Sequence, residues 1–175
     1  MDLRIVKTKR AIKNAFFELR KTTPLEKLWV RDICKKALIN KSTFYNHYSD
    51  VFILSDELEN ELLIERFEKF EYKDCLFSDP KTFIKEIPKA IDQNYEPIHI
   101  LFHDRMEVLY QKLQRQLYDY YKDPNASPEY DILLTFIIGG AMQAMQEISS
   151  AKKYSVDLTV NCLSDCIGKL SPVEK

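Results

Sequence analysis

Apolar side chains follow a helical period from the start of the chain. Ile5, Ile12, Phe16 and Leu19 share one face of residues 4–20, while Lys7, Arg10 and Lys13 fall largely away from it. Lys21-Thr22-Thr23-Pro24 breaks that helix. A second, short helix is predicted over Val30–Ala37, burying Ile33 and Ala37. Asn40 suits the N-cap of a third, from Lys41 to about His47, with Phe44 turned inward. Ser49 or Asp50 then caps a long helix whose apolar positions include Phe52, Leu58, Leu62, Phe67 and Phe70.

Beyond Asp74 the start signals are sharper. Asp79-Pro80 and Ser127-Pro128 each pair a capping side chain with a proline suited to the first turn. Pro88 should kink or end a helix over Phe83–Asn94. Ile98–Tyr121 is amphipathic and reads as one helix or as two joined near His103-Asp104; Tyr130–Ser149 and Val156–Ile167 follow, the last entered through Ser155. Strand-period alternation and internal repeats are missing, and glycine is scarce at three residues, so the fold class is all-α.

Composition changes this picture in two places. The uncharged window Ile132–Gln146 is too short for a membrane span and carries Gly, Thr and Gln. The basic start MDLRIVKTKR runs into amphipathic sequence, so no secretory leader is expected, and a cytoplasmic protein with four reduced cysteines is. Net charge is −1, but residues 1–48 hold 12 Lys/Arg against four Asp/Glu (+8), leaving 14 against 23 (−9) for the rest. A basic head on an acidic body fits nucleic-acid binding; a solvated basic helix would produce the same count.

The second and third helices are separated by Leu38-Ile39-Asn40, the three-residue turn of a helix-turn-helix, in which the third helix enters the major groove. Its exposed face should present Lys41, Ser42, Thr43, Tyr45, Asn46 and His47, a set of donors, acceptors and an aromatic ring rather than Glu–Lys pairs. Val30-Arg31-Asp32-Ile33-Cys34-Lys35-Lys36-Ala37 followed by Lys41-Ser42-Thr43-Phe44-Tyr45-Asn46-His47-Tyr48 resembles the DNA-binding segment of TetR/AcrR-family regulators over about residues 5–60. The resemblance implies that Arg31, Lys41, Ser42, Thr43, Tyr45 and Asn46 face base edges or nearby phosphates. It places His47 and Tyr48 at the end of the recognition helix, near the backbone. Two positions depart from the family: Leu38 stands where it usually has Gly, and Val51 where a phosphate-contacting lysine is common. Lys7 and Lys13 are expected to set salt dependence.

The expected organisation is a helix-turn-helix DNA-binding domain over residues 1–48 and an all-helical regulatory and dimerisation domain over 49–175. Ile132–Met145 is apolar or small on every face and must be covered all round, and Gly139-Gly140 suits close approach of another helix, within the monomer or across a dimer. By resemblance, Tyr130–Ser149 and Val156–Ile167 form a homodimer interface, and two recognition helices imply a roughly palindromic operator. The resemblance also implies a pocket for a small-molecule effector; Tyr95, His99, Phe102, His103, Met106, Tyr110, Phe136 and Met142 are candidates to line it, or plain core. His99/His103 and Cys162/Cys166 stand four apart, yet no third metal ligand accompanies the first pair, and the second is expected to pack as small apolar residues. No cofactor is expected, and no nucleophile, oxyanion motif or paired carboxylate supports catalysis. The reading is a transcriptional regulator, a repressor released by an effector. The alternative is a co-regulator of the same fold that works through a protein partner, as some members of this subgroup do.

Overall fold

The computed structural model describes residues 3–90, 92, 95–151 and 154–171, and every regular element among them is helical. The helices are α1 (Leu3–Arg20), α2 (Val30–Ala37), α3 (Lys41–Tyr45), α4 (Val51–Glu68), α5 (Pro80–Ala90), α6 (Glu96–Phe102), α7 (Met106–Tyr121), α8 (Pro128–Ala151) and α9 (Val156–Leu170). The all-α expectation holds.

Helix starts follow the capping residues. Asn40, Asp50, Asp79, Ser127 and Ser155 each accept a backbone N–H from three residues on, at 2.7, 2.9, 3.1, 3.3 and 3.2 Å. Asp79 therefore starts α5 at Pro80, ahead of the predicted Phe83, and Pro88 lies inside the helix two residues before its end. The predicted end of that helix, Asn94, lies outside the described residues. Ile98–Tyr121 divides into α6 and α7 at His103–Arg105. α3 stops at Tyr45, short of His47, because the His47 N–H closes a tighter turn on the Phe44 carbonyl at 2.9 Å.

The chain forms two compact units, Met1–Glu65 with Gln93–Asp104, and Arg66–Asp92 with Arg105–Lys175. In the first, α1 packs on α2 and α6, and α2 on α3. Ile12, Phe16, Ile33, Phe44, Leu54, Ile98, Leu101 and Phe102 are fully buried in it. Four predicted apolar positions lie outside that core: Ile5 and Phe52 are exposed and Leu19 and Ala37 half-buried, the buried stripe of α4 running through Val51, Leu54, Leu58 and Leu62 instead.

Arg20 closes this unit. Its side chain is wholly buried at the last turn of α1, donating to the Thr23 carbonyl at 2.9 Å, the Leu101 carbonyl at 3.1 Å and both carboxylate oxygens of Asp104 at 3.1 and 2.8 Å. Burial would raise the Asp104 carboxyl above its ordinary 3.8, but the hydrogen bonds and charge of Arg20 outweigh that and hold it lower.

In the second unit α7 packs on α8, and α9 on α5 and α8. Tyr121 is central to an aromatic cluster, its ring 5.6 Å from Phe77 and 6.4 Å from Phe83, with its hydroxyl donating to the Lys73 carbonyl and accepting the Leu76 N–H. The α7-facing side of α8 buries Leu134, Ile137, Ile138, Met142 and Met145, while Ile132 and Phe136 are 68% and 65% exposed. A Cβ on Gly139 would meet only the end of the Gln114 side chain of α7, at an ordinary 3.4 Å, and at Gly140 nothing lies within 4 Å, so within the single chain no helix backbone makes the close approach expected at this pair. Cys162 and Cys166, expected to be packed, are exposed on α9 in the single chain.

Replacing Asp104 by Asn should cost about 3 kcal/mol, since it leaves a buried guanidinium without its counter-charge. A carboxyl held low in the folded state stabilises above its ordinary pKa and stops doing so as pH falls through its folded value. Urea titrations of both proteins should therefore converge as pH is lowered below about 4 and diverge toward neutrality. A constant gap at all pH values would contradict the pairing.

Candidate nucleic-acid interface

The turn between α2 and α3 is built from backbone hydrogen bonds that end one helix and a side chain that starts the next. Leu38 caps α2 in the left-handed region, at φ 55° and ψ 43°, and its N–H and that of Ile39 both point at the Cys34 carbonyl. It is the one non-glycine residue with positive φ among those described. A leucine held there carries about 1 kcal/mol of backbone strain that glycine would not. The turn thus keeps a glycine-type geometry without a glycine, and the leucine side chain is 92% exposed.

Asn40 then organises the start of α3. Its Oδ1 accepts the Thr43 N–H at 2.7 Å, the Ser42 hydroxyl at 2.8 Å and the Thr43 hydroxyl at 2.7 Å. With both hydroxyl protons committed to Asn40, the Ser42 and Thr43 oxygens keep lone pairs that can accept a further hydrogen bond. Phe44 is fully buried and anchors the helix, its ring edge-on to Tyr45 at 5.7 Å and tilted to Tyr48 at 5.8 Å.

This anchoring turns Lys41, Ser42, Tyr45 and Asn46 to solvent, with Thr43 and His47 half-buried, and Arg31 is exposed on α2. Tyr48 stands apart from the other candidates. Its ring is 2% exposed, its hydroxyl donates to Glu57 at 3.0 Å, and the Lys9 ammonium sits 5.3 Å from its centroid. Burial and the Glu57 carboxylate both push its phenol pKa well up, so it stays protonated.

Glu57 ties this corner to α1. Lys13 reaches Glu57 at 3.0 Å and Glu61 at 2.7 Å, and Lys9 reaches Glu57 at 3.4 Å. Burial would raise the Glu57 carboxyl, and the hydrogen bonds from Lys13 and Tyr48 hold it below its usual value. Lys13, expected to act through salt dependence, is paired in this structure with two carboxylates of α4. Val51, where the family commonly has a phosphate-contacting lysine, is 5% exposed and belongs to the core of the first unit.

Arg31, Lys41 and Tyr45 come together with Trp29 and Val30 around a groove of about 480 Å3 between the start of α2 and α3. Trp29 was not among the candidates read from the sequence. The available sign was a large aromatic at a helix N-cap, where an oxygen-bearing side chain is usual.

The proposed effector residues fall in both units. Tyr95, His99 and His103 are exposed and Phe102 is buried in the first; in the second Tyr110 and Met142 are buried, Met106 half-buried and Phe136 exposed. The His99 and His103 rings lie 5.2 Å apart, and His103 Nδ1 is 3.0 Å from the His99 carbonyl. A groove of about 380 Å3 in the second unit is lined by other residues, Gln111, Gln114, Arg115, Tyr118, Thr135 and Ile138. Among the described residues no group of three or more His, Cys, Asp or Glu is arranged to hold a metal ion, and no helix is long and apolar enough to cross a membrane.

No protein-family model matches the sequence, and no curated protein matches it. A solved structure does: a TetR transcriptional regulator from Streptococcus agalactiae 2603V, 26% identical, aligned over 98% of this chain and 96% of that one with a TM-score of 0.54. The fold is of TetR type. The likeness spans both units, so it reaches well past the helix-turn-helix segment on which the sequence resemblance rested.

In this TetR-type head, Leu38→Gly should raise stability by about 1 kcal/mol by relieving the left-handed turn. Thermal unfolding of the two proteins checks it. An unchanged or lowered midpoint would mean that the leucine side chain gives back what its backbone loses.

Proposed function

We propose that the protein is a dimeric, sequence-specific DNA-binding transcriptional regulator, a repressor that releases its operator when an effector binds. The observation that carries this reading is the outward face of α3. Lys41, Ser42, Thr43, Tyr45 and Asn46 project from a short helix pinned by Phe44, within residues 1–48, which hold 12 Lys/Arg against four Asp/Glu, in a fold shared with a TetR transcriptional regulator. Such a face offers one flexible cation, two acceptor hydroxyls, a phenol and an amide to base edges and phosphates. Arg31 and His47 flank it. Tyr48 supports it from below by fixing the end of the helix against Glu57.

A homodimer would present two such faces to a roughly palindromic site. The exposed Ile132 and Phe136 on α8, with Val156 and Leu158 on α9, supply the apolar surface for it. Effector release is the inherited part of the proposal, with Tyr95, His99, Phe102, His103, Met106, Tyr110, Phe136 and Met142 as its candidate residues. The exposed Leu38 in the turn favours one second reading, a regulator that touches a protein partner through its head.

Fluorescence anisotropy with DNA from the upstream region and with a scrambled duplex, across a salt series, tests the main reading. Tyr45→Ala and Thr43→Ala should each weaken specific binding by about 1–3 kcal/mol and leave the oligomeric state unchanged. Full operator affinity in the Tyr45 variant would remove α3 from the recognition role. Sedimentation of Phe136→Glu should give monomers where the parent gives dimers; a dimeric variant would move the interface elsewhere.

A further inference from the structure

Trp29 occupies the N-cap of α2 in extended backbone, makes no side-chain cap hydrogen bond and is 66% exposed. Ser, Thr, Asp or Asn there would satisfy a first-turn N–H, so the local structure gains nothing from a tryptophan. A single exposed apolar side chain is ordinary on a protein surface. The surroundings of this one are not: Trp29 and Tyr45 are aromatic walls of the groove whose other lining includes the cations Arg31 and Lys41. Both cations are exposed, and the acid recorded beside Arg31 is Asp32, at 3.4 Å. Two cations call for an anion. Two rings call for an anion carried on an apolar or stackable body, and the indole N–H can only donate.

A phosphodiester strand has that composition, a charged phosphate alternating with the weakly polar edge of a sugar. Tyr45 and Lys41 also belong to the face proposed to read bases, so a strand bordering that site would pass the mouth of the groove. We propose that this groove receives a deoxyribose-phosphate of the operator backbone, with the Trp29 ring against the sugar and its indole N–H donating to a phosphate oxygen, while Arg31 and Lys41 neutralise the charge. The inference rests on the DNA-binding reading and deepens it by adding a contact that supplies affinity and register without choosing bases.

Trp29 is the single tryptophan of the chain, so intrinsic emission reports this ring alone. The full-length protein would be titrated with a labelled duplex obtained by selection for binding to it, following label anisotropy, tryptophan emission and acrylamide quenching together. Saturating duplex should shift the emission and reduce acrylamide quenching several-fold, whereas sodium phosphate at matched ionic strength should do neither. Trp29→Ala should bind selected and scrambled duplexes each about tenfold more weakly, with their ratio kept and the thermal midpoint not lowered; Trp29→Phe should recover part of the loss. If the duplex binds while Trp29 stays as accessible as in the free protein, or Trp29→Ala binds like the parent, the groove contact is wrong and DNA binding stands. Protection by phosphate alone would make the groove a simple anion site and overturn the strand contact. If no duplex binds, the DNA-binding reading fails and takes this inference with it. Should Trp29→Ala fail to fold, the quenching of the parent protein decides.

Discussion

A guanidinium with no exposed surface sets the terms for the first unit. Arg20 ends α1, and the carbonyl of Leu101 and the carboxylate of Asp104 that hold it arrive more than eighty residues later. A charge in that position must be paired, because an unpaired buried cation costs several kcal/mol. The segment containing α6 is therefore part of the unit that carries α2 and α3, although α5 and the preceding loop belong to the other. The helix-turn-helix stands on a small core that the first 48 residues do not complete by themselves, and Ile98, Leu101 and Phe102 supply the remaining apolar surface.

On that core, ion pairs divide the basic residues into two kinds. Lys9 and Lys13 turn toward Glu57 and Glu61 and join α1 to α4. Arg31 and Lys41 are exposed and border the groove between α2 and α3. Counting charge along the chain treats these alike, although the first kind is engaged between helices and the second lines an open groove. The same division explains how Val51 can occupy a position where the family often has lysine: here the start of α4 faces the core and is capped by Asp50.

Local chemistry was legible in the sequence, and long-range pairing was not. Asn40, Asp79, Ser127 and Ser155 announce helix starts because a capping oxygen acts over three residues, and all four are used. The inward turn of Phe44 follows from periodicity in the same way. Phe52 fails that logic because Val51, Leu54 and Leu58 already define the buried stripe one position round the helix. The Arg20–Asp104 pair, the sequestration of Lys13 and the meeting of Trp29 with Lys41 have no local signature, since each depends on where separate helices come together. Gly139-Gly140 suggested a close helix approach, yet within the single chain a Cβ would meet only the end of the Gln114 side chain at one position and nothing at the other.

One oxygen of Asn40 begins α3 and at the same time receives the hydroxyls of Ser42 and Thr43. One atom thus both caps α3 and takes the hydroxyl protons of two of its residues. A substitution there removes the helix cap and frees both hydroxyls at once. The tolerance of this segment to mutation therefore lies away from Asn40, at the exposed Lys41, Tyr45 and Asn46, whose side chains can vary while the cap stays in place.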